Sequence, residues 1–334
     1  MQPTIKDVAR QAGVSTATVS RVLNESGAVS EQTRVRVEQA IKDLGYRYNA
    51  LAGSLKKQQS GLIGHIVPSI AGPVGPMLAR AVEEQARRSG YNVILCNSLE
   101  SAETERSNVN VLIERRVDGI VFSAPLVAEH VKAVRNRGIP VVVIERRADV
   151  SDFHYVEADN FGGAYEAVKH LLDLGHRRIA MITSPQNAHI AKSRMDGYLR
   201  ALSDAGISSV AELIAEGDYS RLSGHKAMRE FLALVQRPTA VFAAGDALAI
   251  GAMQAAREAH LEIPSDISFV GFDDAYAELA IPPLTTVHQP LQEIGTLAAR
   301  ILIARIDGGG DTYPPANVLP CRLKERESCG PPPG

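Results

Sequence analysis

The feature that most constrains this fold is a change of rhythm at Gly61. Beyond it, apolar runs too short for helices alternate with amphipathic stretches of helical length. The runs 62–67, 91–96, 119–123 and 141–145 read as strands, separated by predicted helices over 76–89, 103–115 and 129–137. A second series follows, with helices over 161–174, 194–204, 222–234 and 247–259 and strands over 178–182, 212–216, 240–243 and 267–271. A long helix over 291–306 comes last, with a strand near 318–323. Near-continuous apolar runs indicate strands buried on both faces, hence parallel sheets covered by helices on each side. Two such series predict two doubly wound lobes, whose strand C-termini carry binding loops that face each other across a cleft.

The first sixty residues follow other rules. Thr4 precedes a helical stretch and Asp7 lies three residues on, a hydroxyl cap answered by a carboxylate near the positive helix end. Gly13 can stop this helix in a left-handed conformation. Only Val14 and Ser15 then precede a second helix, and Ser15 is a good N-cap; this is the tight turn of a helix-turn-helix. Ile5, Val8, Ala9 and Ala12 share one face, as do Val19, Val22 and Leu23, and a third helix from near Ser30 carries Val37, Ala40, Ile41 and Leu44. Three helices of this kind can enclose one small core and leave Thr16, Ala17, Thr18 and Arg21 facing outward. The N-terminal part of a recognition helix enters the major groove. There Arg21 can donate two hydrogen bonds to guanine, while Ala17 and the Thr16 methyl can touch thymine methyls. Ser15 and Thr18 are better placed to hold phosphates, which fix register. The same helices would also make a plain three-helix bundle with a polar surface, but charge favours the DNA reading. Residues 1–60 hold nine Lys/Arg against five Asp/Glu, a net +4, and the remainder holds 27 against 33, a net −6. A basic head on an acidic body is expected where only the head meets DNA.

Between head and body lies Asn49-Ala50-Leu51-Ala52-Gly53-Ser54-Leu55-Lys56-Lys57. Asn49 could cap one or two helical turns, too few to be stable alone, and Gly53 weakens them further. Leu55 beside Lys56 suggests an apolar wedge in the minor groove. Taken by itself, the stretch reads more simply as a flexible linker.

Thr4-Ile5-Lys6-Asp7-Val8-Ala9, Gly13-Val14-Ser15 and Thr18-Val19-Ser20-Arg21-Val22-Leu23-Asn24 together closely resemble the head of the lactose/galactose-repressor (LacI/GalR) family. Gly45-Tyr46 and the stretch from Asn49 to Leu55 continue the resemblance, which runs to about residue 328. It implies a helix-turn-helix head and a core of two lobes joined by three crossovers, like periplasmic sugar-binding proteins. It also implies that Thr16, Ala17 and Arg21 read bases, that Leu55 and Lys56 act in the minor groove, and that Thr4, Ser15, Thr18 and Asn24 complete the DNA-contacting set. The chain departs from the family pattern at Tyr48, where Pro is usual, and at Gly53, where Arg is frequent.

Strand ends in the body deliver Ser69, Glu145-Arg146, Thr183-Ser184, Tyr219, Asp246 and Asp273-Asp274. A sugar-like ligand needs charged groups that pair with hydroxyls, together with flat apolar faces; Arg194, Asp246 and Asp273 are of the right type. Residues of this kind at strand ends also often cap helices or pair with each other. The resemblance implies that Arg194 and Asp273 hold an effector and that Tyr219 lines the cleft. Ser69, Val74, Glu145, Arg146 and Asp246 complete the expected effector set. One departure bears on the ligand. After the first strand the family commonly carries Asn-Pro and then aromatics that stack on a sugar ring, whereas this chain has Gly72-Pro73-Val74-Gly75 and no Trp. With Arg146, His189, Lys192 and Arg194 in the loops, an anionic effector such as a sugar acid or sugar phosphate is expected; Glu145 argues the other way.

The expected organisation is a head over 1–48, a hinge and linker over 49–60, an effector-binding and dimerisation core over 61–328, and a disordered Pro/Gly tail over 329–334. Lobe 1 would comprise about 61–159 and 290–320, and lobe 2 about 160–289 and 321–328. The last long helix is expected to return to lobe 1, and the dimer to pack through the helix at 76–89 and the strand after it. The apolar fraction of 45% suits packed cores. No apolar run reaches eighteen residues, the N-terminus has no signal-peptide core, and the three cysteines have no metal spacing, so a cytoplasmic protein is expected. No glycine-rich phosphate loop, Gly-x-Ser-x-Gly elbow or metal-spaced His/Glu pair supports an enzyme. A transport protein would suit the body but not the head. The resulting expectation is a cytoplasmic, homodimeric, effector-responsive repressor of carbohydrate-metabolism genes. It would bind a near-palindromic DNA operator and a sugar, sugar acid or sugar phosphate, with no cofactor and no metal.

Overall fold

The computed structural model describes residues 3–23, 27–46, 59–145, 153–185, 189–309 and 312–334. The expected site residues Asn24, Leu55, Lys56 and Arg146, and the departures Tyr48 and Gly53, lie outside them. The chain forms two compact units, residues 1–60 and 61–334.

The first unit contains α1 (Ile5–Ala12), α2 (Thr16–Leu23) and α3 (Glu31–Leu44). The apolar periodicity closes one core, in which Val8, Ala9, Ala12, Val19, Val22, Val37 and Ala40 are buried and Ile5, Leu23, Ile41 and Leu44 pack at its edge. Gly13 takes φ +64°, where a side chain would strain the backbone, and its amide caps the end of α1.

The second unit holds two six-stranded sheets. The first contains β1 (Leu62–Val67), β2 (Asn92–Asn97), β3 (Gly119–Ser123), β4 (Val141–Ile144), β5 (His154–Ala158) and β11 (Ala316–Leu319), in the order β11-β5-β4-β3-β1-β2. The second contains β6 (Ile179–Thr183), β7 (Ile214–Glu216), β8 (Ala240–Ala243), β9 (Ser268–Asp273), β10 (Thr285–His288) and β12 (Arg322–Lys324), in the order β12-β10-β9-β8-β6-β7. The two orders repeat each other. Every pairing is parallel except that of β10 with β12. Each sheet reverses direction beside its first strand, which opens a crevice at the strand C-termini.

Helices α4 (Val74–Arg88), α5 (Ala102–Glu114) and α6 (Ala128–Arg135) belong to the first lobe, and α7 (Asn160–Asp173), α8 (His189–Asp204), α9 (Arg221–Leu232) and α10 (Asp246–Glu258) to the second. The last helix, α11 (Leu291–Ile306), packs Leu291, Ile294, Ala298 and Leu302 against Leu78, Val82 and the face of the first sheet that carries Ile63 and Val121.

Four expectations are corrected. The strand read near 318–323 is two strands, β11 in one sheet and β12 in the other, because the chain passes between lobes at Pro320-Cys321. β5 and β10 were not foreseen; β10 lies among Pro282, Pro283 and Pro290. The segment read as a strand over 212–216 begins with a 3-10 turn, and only Ile214–Glu216 is strand. The tail from 329 is docked at its start. The Gly330 amide donates to Ser268 Oγ (3.0 Å), the Gly330 carbonyl lies 2.9 Å from His176 Nε2, and Ser328 is fully buried. Composition alone cannot show that a buried histidine and serine will engage that backbone.

Candidate functional site

In the head, the Ser15 hydroxyl accepts from the Thr18 amide at 3.1 Å and so caps α2, with the Thr18 hydroxyl 2.9 Å away. Thr16, Ala17 and Arg21 are exposed on α2, and no core contact uses their side chains. Thr4 is engaged locally: its hydroxyl and amide both donate to Asp7 Oδ2, at 2.6 and 2.9 Å. These bonds hold the Asp7 carboxyl below its ordinary pKa. The turn thus presents a short polar row on a helix N-terminus, with the exposed guanidinium-bearing side chain of Arg21 a turn further on.

In the core, Arg194 projects from α8 and is almost fully buried. Its Nε donates to Asn160 Oδ1 (2.9 Å) and its Nη1 to the Ala244 carbonyl (2.5 Å). Asp273 Oδ1, at the end of β9, lies 3.7 Å from Nη1, and the guanidinium covers the Phe272 ring at 3.7 Å. Asn160 Nδ2 in turn donates to Glu145 Oε2 (3.0 Å), just past β4, and Glu145 Oε1 accepts from the Ala158 amide at 3.3 Å. Burial pushes the Glu145 carboxyl up to about 7, against the opposing pull of Arg194. Asp246 opens α10; its carboxylate accepts from Thr286 Oγ1 (2.5 Å) and the Ala275 amide (2.9 Å). Burial also raises Asp246 and Asp273, and Asp273 further raises Asp246, so this pair resists carrying two full charges. Gln289 Nε2 donates to Asp273 Oδ1 at 2.6 Å.

Tyr219, at φ +63°, keeps 39% of its surface exposed. A Cβ built on Gly245 would lie 3.5 Å from both Tyr219 Cδ1 and Asp273 Oδ2, so ring and carboxylate flank one glycine. Burial raises the pKa of the Tyr219 hydroxyl. Glu145, Arg194, Tyr219 and Asp273 are therefore gathered in one place, where two carboxyl groups face one guanidinium, and Asp246 adjoins them through its interaction with Asp273. Ser69 and Val74 sit apart from these contacts: Ser69 Oγ accepts from the Ala71 amide at 3.2 Å, and Val74 begins α4 at the edge of the first-lobe core. Lys192 is exposed, so of the cations expected near the ligand Arg194 alone is buried in the cluster among the described residues. A depression of about 360 Å³ along α11, lined by Gln292, Glu293, Thr296, Leu297, Arg300 and Leu319, lies on residues outside this cluster.

Asn160, Phe272, Thr286 and Gln289 are partners that the sequence reading missed. Asn160 follows the unforeseen β5, and Thr286 and Gln289 lie on or just after the unforeseen β10; the signal available was a polar amide directly after a short β-branched run. The three passages between lobes all reach the cluster, through Asn160, through Gln289 and through Cys321. The Cys321 thiol is pushed up to about 12 chiefly by burial and also feels Arg194, Glu145 and Asp273. Among the described residues no group of His, Cys, Asp and Glu could hold a metal ion.

Comparisons with known proteins agree with this anatomy. A family profile described as "Bacterial regulatory proteins, lacI family" matches residues 4–49, and one described as "Periplasmic binding protein-like domain" matches residues 168–329. The chain is 40% identical over 329 residues to the HTH-type transcriptional repressor PurR of Proteus mirabilis, covering 97% of this chain and 96% of that protein. It is 38% identical over 306 residues to the ribose operon repressor of Escherichia coli K12, covering 91% and 93%. Its fold is similar to the Lac repressor dimer bound to operator and the anti-inducer ONPF, with a TM-score of 0.88 at 32% identity over 98% of this chain and 99% of that one. It is also similar to the transcriptional regulator CelR in complex with cellobiose, with a TM-score of 0.76 at 34% identity over 98% and 99%.

Proposed function

The chain belongs to the LacI family of bacterial regulatory proteins and is an effector-responsive DNA-binding repressor rather than an enzyme; from that premise we propose that its effector is a small neutral polyhydroxylated molecule of the sugar class. The observation that carries this reading is the charge balance at Arg194. The guanidinium is already hydrogen-bonded to Asn160 and Ala244 and faces Asp273, with Glu145 behind Asn160. An anionic ligand would add charge beside the carboxyl groups of Asp273 and Glu145. Hydroxyls suit the site better: Asp273 can accept from them and Arg194 can donate. Tyr219 supplies the flat face that the Gly72–Gly75 loop lacks. The anionic effector expected from the sequence is thereby disfavoured, because the cations invoked for it are exposed or already neutralised where they are described.

Thr16, Ala17 and Arg21 are the base-reading set of this proposal, with Ser15 and Thr18 on phosphates; Thr4 supports the first helix. Two heads on a homodimer would meet a near-palindromic operator in the cytoplasm. Exposed Met77 on α4 and Leu95 on the edge strand β2 support a dimer through the first lobe, and exposed Tyr276, Leu279 and Ile281 support its continuation along the second. Residues 49–60 would serve as the hinge that carries lobe geometry to the head.

The test is calorimetric titration of the full chain with D-ribose, cellobiose, gluconate, ribose 5-phosphate and a purine base, followed by operator binding with each ligand that binds. A neutral sugar is expected to bind and to change operator affinity. At about a hundred times its Kd it should also stabilise the core by about 2.7 kcal/mol. Binding only by the charged members would overturn the neutral reading.

A further inference from the structure

Asn160 does not belong to the set that holds a ligand by charge, yet its side chain joins the two halves of the cluster. It opens α7 immediately after Ala158-Asp159, where the chain leaves the first sheet. Its carboxamide is 5% exposed and bonded at both ends: Nδ2 donates to Glu145 Oε2 and to the Ala158 carbonyl (3.1 Å), and Oδ1 accepts from Arg194 Nε. Glu145 ends a strand of the first lobe, whereas Arg194 sits on a helix of the second. Asp159 caps α7 through the Gly162 amide (2.8 Å), so the backbone that carries the amide is itself held.

The junction is close-packed around Gly163. A Cβ on Gly163 would come within 2.9 Å of Val287, 3.0 Å of Cys321 and 3.1 Å of Phe272, so the first passage lies in van der Waals contact with the third passage and with the two strands that carry Gln289 and Asp273. A close-packed junction with one hydrogen-bonded strut across it has discrete arrangements rather than a continuous range.

We infer that Asn160 is a positioning residue that transmits effector occupancy to lobe geometry. By tying Glu145 to Arg194, it makes the orientation of the effector-binding guanidinium depend on the position of the first lobe. A ligand that draws Arg194 and Asp273 toward its hydroxyls pulls on Asn160 and, through it, on Glu145. The ligand half of this statement rests on the effector reading above; the strut itself does not.

Two variants test it in the full-length protein. Asn160→Ala removes all three bonds, while Asn160→Asp keeps the shape and the acceptor for Arg194 but loses the donor to Glu145 and to the Ala158 carbonyl. The first measurement needs no effector: amide hydrogen exchange at 288–291 and 319–322, passages that Asn160 does not itself bond. Both variants are expected to exchange there at least about tenfold faster than the parent, with amides of β3 and β8 unchanged, as in a local opening. Unchanged exchange at both passages would overturn the strut, whether or not any ligand is known. The second measurement uses D-ribose and cellobiose as probes and reads the ratio of operator affinity with and without probe. Where the parent responds, by a factor in the usual range of about 5 to 150, both variants should fall below about threefold while still binding the probe. A variant that keeps the full ratio overturns the transmission. A parent that responds to neither probe points instead to a different effector, and the exchange result then decides the strut alone.

Discussion

The head and the cleft solve opposite problems. In the head, the side chains proposed to meet DNA fall between Ser15 and Arg21, on one turn and one helix, and they are exposed or half-exposed. In the cleft, the interacting residues run from Glu145 to Gln289, come from both lobes, and are mostly buried. The head is net cationic and leaves its charges in water; the cleft concentrates carboxyl groups around one guanidinium where water is excluded. A surface that must meet a polyanion is built cheaply from local sequence, whereas a site that must respond to a small ligand is assembled by topology and kept under electrostatic tension.

The largest expected effect would break this contrast from the cleft side. Arg194→Met leaves Glu145 and Asp273 buried without their cation, and should destabilise the core by about 3–5 kcal/mol. Urea unfolding of the full-length protein would show it, and the response to any bound sugar should vanish. An unfolding midpoint equal to the parent's would mean that the cluster is not under tension.

Next comes pH. Glu145 titrates near 7 in the fold against an ordinary value of 4.5, so between those values the folded state holds a proton that the unfolded chain has lost. Its contribution is fully present below about 4.5 and is lost as pH rises through about 7. Core stability should therefore decline over that window, and Glu145→Gln should lessen the decline, the remainder coming from the raised Asp246 and Asp273. In the head the sign is reversed. Asp7 is held below its ordinary 3.8, so its contribution is present above that value and is lost as the solution is acidified. Chemical denaturation from about pH 2.5 to 8, followed separately in head and core, sharpens the comparison.

Arg21→Ala should leave unfolding of both units unchanged, because the side chain is exposed. Operator affinity should fall by about 1–3 kcal/mol, most at the base it reads. An equal loss on every DNA sequence would reassign Arg21 to phosphate. The smallest effect is at Ser30, whose hydroxyl accepts from the Thr33 amide at the start of α3. Ser30→Ala should cost the head about 1 kcal/mol with no change in sugar binding.

How much of this was legible follows the same division. The caps at Thr4, Ser15 and Ser30, the left-handed Gly13 and the buried faces of the three short helices are short-range facts, set by residues at most a few positions apart. Most of the parallel strands were legible as well, because burial on both faces forces apolar runs. β10 was not: its four residues, Thr285 to His288, lie among prolines and include two threonines whose hydroxyls meet the Arg326 amide and the Asp246 carboxylate from elsewhere in the chain. β11 and β12 merged in the reading because nothing local marks the point where the chain changes sheets.

The sequence by itself determined the kinds of element, the two-series body, the basic head, and the residue types at the strand ends. Periodicity, capping and net charge depend only on neighbours along the chain. The tertiary structure alone decided that Asn160 would stand between Glu145 and Arg194, that Gln289 would reach Asp273, and that Glu145 and Asp273 would share one guanidinium. Those outcomes depend on the register of strands far apart in sequence and on how much water their packing removes. Burial strengthens every charge interaction that remains.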